Sequence, residues 1–149
     1  MADRSYVAEN EAERARLRAL IARLSESDLT RPVGHGWTVA VTLAHLAFWD
    51  RRNLATIEEW QRSGVRVVPV DPDPINDSML GQWQRLPPRQ AAEEALAAAE
   101  AVDARVASLP GDLVQQILAQ RPRTLVRAVH RREHLDEIER ALAGPAQQP

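Results

Sequence analysis

The chain has 149 residues, 44% of them hydrophobic and 27% charged, with a net charge of −2, which describes one globular domain long enough to bury a core. All 19 basic residues are arginine and there is no cysteine, which excludes disulfides, thiolate metal sites, cysteine nucleophiles, a phosphate-loop lysine and a Schiff-base lysine. The near-balance of charge gives no electrostatic reason to bind nucleic acid or an anionic membrane, no apolar run approaches the roughly 18 residues of a membrane span, and the charged start MADRSYVAENEAERAR lacks an apolar signal core, so a cytoplasmic protein is expected.

Leu17, Leu20, Ile21 and Leu24 recur at helical spacing and predict a first amphipathic helix over about Asp3 to Ser25. SESDLTRPVGHG reads as a loop. Thr38 is placed to cap a second helix that runs to about Arg62. Val39, Val41, Leu43, Leu46, Phe48 and Trp49 make its first half apolar almost all round, as in a central helix covered on several sides. Ser63 to Asp73 holds Pro69 and Pro72 and reads as a long crossover loop; Asp73 and Pro74 then cap and open a short helix through Ile75, Met79 and Trp83. Pro87 and Pro88 open an alanine-rich third helix that Pro110 and Gly111 stop, and Asp112 caps one or two turns through Ile117. Pro122 opens the last helix, which Gly144 and Pro145 end, with 144–149 a frayed tail behind an ordered core at 3–143. The fold class that follows is all-α: one four-helix bundle over 1–149, with a long crossover loop and short extra helices.

The chemistry left to such a chain lies in four histidines, the carboxylates and the hydroxyls. His130 and His134 stand four apart on the last helix, in one stripe with Val126 and Ile138, while Arg127, Arg131, Arg132 and Arg140 mostly point elsewhere. The pair therefore faces the core, where imidazole nitrogens need partners; a metal ion supplies them, and so do carboxylates. His45, in the most apolar stretch of the second helix, is a third inward histidine, either a metal ligand or a hydrogen-bonded core residue. His35, in a glycine-flanked loop, reads as a rim residue and not a ligand. His130 to His134 also matches H-x-x-E-H, but the 15 residues after His134 leave little room for the further acidic ligand such peptidases need, and Glu133 reads better as a surface residue than as a general base.

The segment GWTVAVTLAHLAFWD resembles the second-helix motif of the DinB/YfiT-like superfamily of four-helix bundles. DPINDSMLGQWQRLPPRQAAEEAL is similar to that superfamily's middle region, and the closing H-x-x-x-H to its last-helix pair. The superfamily includes the mycothiol-dependent maleylpyruvate isomerase N-terminal domains and the bacillithiol transferases; REHLDEIERAL also resembles its colibactin-resistance branch. The resemblance spans about Asp3 to Leu142. It implies a divalent metal, nickel or zinc, on His45, His130 and His134, and a low-molecular-weight thiol as cosubstrate. One departure is Val41, where family members often carry an acidic residue that completes a capping box.

Two functions compete. One is a metal-dependent enzyme performing thiol S-transfer, isomerisation or metal-assisted hydrolysis on a small molecule. The other is a metal-free binding or stress-resistance bundle whose histidines hydrogen-bond in the core. Trp49, Asn76 and Asp77 are candidate substrate-binding residues, and Asp50 a candidate orienting group. The crossover loop, with Val65, Val67, Val68 and Val70, is expected to wall the pocket above the histidines. Trp60 and Trp83, near helix ends, suggest a homodimer interface.

Overall fold

The computed structural model describes residues 3–144 and is helical nearly throughout; the expected frayed tail, Gly144 apart, lies outside the described residues. Helix α1 runs Ser5–Arg23 and buries Tyr6, Asn10, Leu17 and Leu20. It stops two residues short of the expected end because Ser25 caps the next helix. The Ser25 hydroxyl accepts from the Asp28 amide at 3.0 Å and the Asp28 carboxylate accepts from the Ser25 amide at 2.9 Å, a capping box that nucleates the one-turn α2, Glu26–Leu29. The expected loop therefore contains a helical turn and also a small hairpin. Strand β1, Pro32–Gly34, pairs antiparallel with β2, Trp37–Thr38. Its tight turn needs three successive left-handed residues, Gly34 (φ 118°), His35 (φ 43°) and Gly36 (φ 85°), which the flanking glycines adopt without steric cost.

Helix α3, Val39–Ser63, begins where the Thr38 hydroxyl accepts from the Val41 amide at 3.1 Å. Every residue from Val39 to Ala47 is buried, as expected of a central helix. Helix α4, Pro72–Arg85, starts slightly ahead of the predicted Asp73 cap: Asp71 takes the free Asp73 amide at 3.1 Å, and Pro72, with no N–H to satisfy, fills the first position. Helix α5 spans Pro88–Ala107, and α6 runs Gly111–Gln120, longer than the one or two turns expected. Helix α7 covers only Ala128–Ala143, and Pro122–Thr124 forms a 3-10 turn instead of its first turn. The late start has a cause in α1. The Asn10 amide nitrogen donates to the Leu125 carbonyl and its oxygen accepts from the Ala128 amide, both at 2.8 Å, replacing ladder bonds that a continuous helix would make.

The long helices α1, α3, α5 and α7 make the bundle. Helix α1 packs on α5 and α7, and α3 packs on the same two, so α1 and α3 stand across a diagonal. The apolar core has two parts. One gathers Leu17, Leu20, Leu43, Leu46, Trp83 and Leu135, the other Tyr6, Ile57, Trp60, Val106, Ile117 and Leu125. Between them lies a buried ionic layer. Arg131 clasps Asp103 through two bonds of 2.8 and 2.7 Å and reaches Asp50 at 3.3 Å; Arg127 donates to Asp50 at 2.9 Å and Arg14 to Asp103 at 2.7 Å. Burial alone draws the Arg131 pKa down, but hydrogen bonds and charge from Asp103 and Asp50 outweigh it and hold the group above its ordinary value. The expectation that Arg127 and Arg131 point away from the core is thus overturned, because two helices supply carboxylates to receive them. Trp60 and Trp83 are also buried within the chain itself and offer no interface. Among the described residues, no helix is long and apolar enough to cross a membrane.

Candidate metal centre and its cavity

Helix α3 contributes His45 from its buried half, and α7 contributes His130 and His134 from successive turns. One ligand nitrogen of each lies within 4.8 Å of the others. The His45 and His130 Nε2 atoms are 3.0 Å apart, and the ring centroids of His134 stand 4.7 Å from His45 and 4.9 Å from His130. Nitrogens around a tetrahedral ion at 2.0–2.1 Å are spaced about 3.3 Å apart, so the cluster needs only small side-chain adjustments to hold one. The Nδ1 atom of His134 meets the Glu137 carboxylate at 3.2 Å, which leaves Nε2 for the cluster. Glu137 also meets His35 Nε2 at 3.2 Å, so the exposed hairpin histidine acts one step behind the cluster, through this shared carboxylate. Trp37 and Trp83 wall His45 at centroid distances of 4.8 and 5.5 Å. The donor set fits a divalent ion: three imidazoles with a carboxylate behind one of them. We expect Glu137→Ala to weaken metal binding about 10–100-fold, with Glu137→Gln between it and the parent. Competition against a chromophoric chelator measures this, and equal affinity for all three proteins would remove Glu137 from the centre.

Both deeply set imidazoles are held neutral. Burial, then the neighbouring His134, pushes His45 down to about 3. Burial, then His134, His45 and Arg127, pushes His130 down to about 2. An unfolded histidine titrates near 6.5, so between that pH and the folded values the unfolded chain binds more protons than the folded one. Stability of the metal-stripped protein is therefore fully present above about pH 6.5 and falls as the medium is acidified, by up to about 1.4 kcal/mol per pH unit for each imidazole. Urea midpoints at pH 7.5, 6 and 5 should show the decline, and a His45→Gln, His130→Gln protein should show a flatter one. Parallel curves would assign the acid sensitivity to carboxylates elsewhere.

The cluster opens on a cavity of about 1020 Å³ between α3, the crossover, the start of α4 and the turn before α7. Val67, Val68 and Val70 of the crossover line it. Val68, at 56% exposure, is the one large hydrophobic left exposed among the described residues, and it sits at this wall. Of the candidate substrate residues, Trp49 and Asn76 line the cavity and are tied together, the indole N–H donating to the Asn76 side-chain oxygen at 2.8 Å. Asp77 is exposed and does not line the cavity, because the helical step from Asn76 turns it to solvent. Asp50 does not itself line the cavity; it lies behind it in the ionic layer and holds Arg127, which does line it. Glu133 stands at the cavity wall, paired with Arg123 at 3.6 Å.

Sequence reasoning missed the arginines that line the same space: Arg52, Arg66, Arg121, Arg123 and Arg127. They lie on three separate segments, and a usable signal was the all-arginine composition combined with the crossover reading. None of the curated proteins compared with the chain matches it, and neither does any of the solved structures. The family model of the DinB superfamily matches residues 9–138. That span takes in α1 through most of α7 and all three clustered histidines, and the chain belongs to the DinB superfamily.

Proposed function

We propose that the protein is a divalent-metal-dependent enzyme of the DinB type that uses a low-molecular-weight thiol for S-transfer or isomerisation of a small molecule. The observation that supports this reading is the convergence of three imidazoles at the inner end of a large open cavity. His45, His130 and His134 would hold the ion, nickel or zinc as the family resemblance implies, and Glu137 would fix the His134 tautomer. A bound divalent ion supplies Lewis acidity and lowers the pKa of a ligated thiol or water. The chain's own residues bind and orient: the Trp49–Asn76 pair sets one wall, the crossover valines give another an apolar lining, and Trp37 and Trp83 cover the back of His45. With no cysteine in the chain, sulfur must arrive with a cosubstrate.

A second reading has one observation in its favour. The 3.0 Å contact between His45 Nε2 and His130 Nε2 pairs one nitrogen of each ring without an ion, as in a metal-free binding bundle, although His45 Nδ1 is left without a partner. Elemental analysis of untagged protein purified without added metal separates the two, about one equivalent supporting the enzyme and none supporting the binder. Metal-loaded protein is then incubated with a panel of low-molecular-weight thiols and an electrophilic bimane dye. Thiol consumption above the background rate supports transfer chemistry, and background rates for every thiol oppose it. A cytoplasmic location and a two-fold dimer are separate proposals. The dimer rests on symmetry preference alone now that Trp60 and Trp83 are accounted for inside the chain, and light scattering at micromolar concentration decides it.

A further inference from the structure

We infer that the cavity beside the histidines takes an anionic small molecule bearing two or more carboxylate or phosphate oxygens, held by Arg52, Arg66 and Arg121. The inference rests on the reading of this cavity as the substrate pocket.

Among the described residues, only Arg52, Arg66, Arg85, Arg121 and Arg140 of the arginines have neither a carboxylate nor a carbonyl partner for the guanidinium. Three of these line one cavity, arriving from α3, the crossover and the end of α6. The two carboxylates that line the cavity are already committed. Glu59 accepts from Arg62 at 2.7 Å and from Ser63 at 2.9 Å, and Glu133 is paired with Arg123. Two of the three positions are held in place by neighbouring indoles. The Arg52 guanidinium carbon lies 5.5 Å from the Trp49 ring centroid, so a single indole separates it from His45, whose ring is 6.5 Å from the same indole. The Trp60 indole donates to the Arg66 carbonyl at 3.1 Å and pins that stretch of the crossover.

A cationic rim with spare N–H donors beside a cluster of three imidazoles suits a ligand of two unlike ends. The acidic end meets guanidinium groups, which bind carboxylate and phosphate oxygens in a planar fork. The other end reaches the histidines. A neutral or cationic ligand would make no use of these donors.

The test uses metal-stripped protein, so that a chelating probe cannot report through the ion. Citrate and inorganic pyrophosphate are titrated separately at fixed ionic strength, followed by the fluorescence of Trp49 and Trp60 in the cavity wall and by calorimetry. Saturable binding of citrate alone assigns carboxylate as the favoured group, and of pyrophosphate alone phosphate. The Arg52→Ala, Arg66→Ala, Arg121→Ala protein should bind the favoured probe at least about tenfold more weakly. All three side chains are exposed, so circular dichroism should be unchanged. The Arg85→Ala, Arg140→Ala protein, which also loses two unpartnered arginines but none at the cavity, should bind as the parent does. The inference is overturned if the parent binds neither probe, if the triple variant binds like the parent, or if the double variant loses as much as the triple. Metal content of the unstripped parent separates this result from the functional reading. Protein that holds metal but no probe overturns the anion site alone; protein that holds the probe but no metal overturns the metal reading and leaves the anion site standing.

Discussion

Asp103→Ala should cost about 3–5 kcal/mol, a large share of the roughly 5–15 kcal/mol that holds a domain of this size together. The carboxylate of Asp103 takes both terminal nitrogens of Arg131, a side chain only 1% exposed, and also the guanidinium of Arg14. Its removal leaves a buried cation with only the 3.3 Å contact to Asp50 and the 3.2 Å bond to the Asn10 carbonyl, and its Nε already lacks a partner. The opposite truncation should be gentler. In Arg131→Met, Asp103 keeps Arg14 and Asp50 keeps Arg127, so no buried charge is orphaned and an apolar chain of similar length fills the space. The expected order in urea unfolding at pH 7 is parent, then Arg131→Met, then Asp103→Ala well below both. A loss under about 1 kcal/mol for Asp103→Ala would mean that water reaches the layer and carries the charge.

Loss of metal should be nearly complete when any one of the three histidines is removed. We expect His134→Ala to bring bound metal from about one equivalent to under about a tenth, a larger effect than the 10–100-fold of an outer partner such as Glu137. His134 is the informative position. It is the least buried of the three, and His45 and His130 keep their mutual contact without it, so the bundle should stay folded while the centre empties. Elemental analysis and far-ultraviolet circular dichroism on one preparation check both halves. Full metal retention with an intact fold would show that the ion, if bound, sits elsewhere.

How much of this was legible beforehand differs by residue, for physical reasons. The three histidines were visible because helical periodicity is local: His130 and His134 share a stripe with Ile138, and His45 sits inside an unbroken apolar run. The crossover wall was visible because its prolines forbid a helix and its valines need somewhere to pack. The ionic layer was not visible. Arg131 and Asp103 are 28 positions apart, and nothing near either one announces a buried partner. The same periodicity that placed His130 inward placed Arg131 outward, an inference that holds only when one side of a helix is covered. Helix α7 is packed on both α1 and α3, so the arc it buries is wider than one stripe. Its late start was hidden for a related reason, since the side chain that replaces its first backbone bonds belongs to Asn10, at the far end of the chain. Asp77 shows the limit of proximity in sequence: its neighbour Asn76 faces the cavity and it does not.

The alanine face of α5 gives the layer a further consequence. Ala91, Ala92, Ala95, Ala98 and Ala99 are all buried, and a row of methyl groups is nearly the same surface after a slide of one helical turn. Shape therefore encodes little about where along its axis α5 must stop against α1 and α3. Asp103 encodes it by charge. A displacement of one turn, about 5.4 Å, would carry its carboxylate out of reach of Arg131 and Arg14, leaving Asp103 buried without a partner and Arg131 with Asp50 alone. Alignments that the methyl row tolerates become forbidden, and the chain can keep a slim, close-packed helix without paying for it in ambiguity. The same stop sets the height at which α3 and α7 meet, and so whether His45 arrives level with His130.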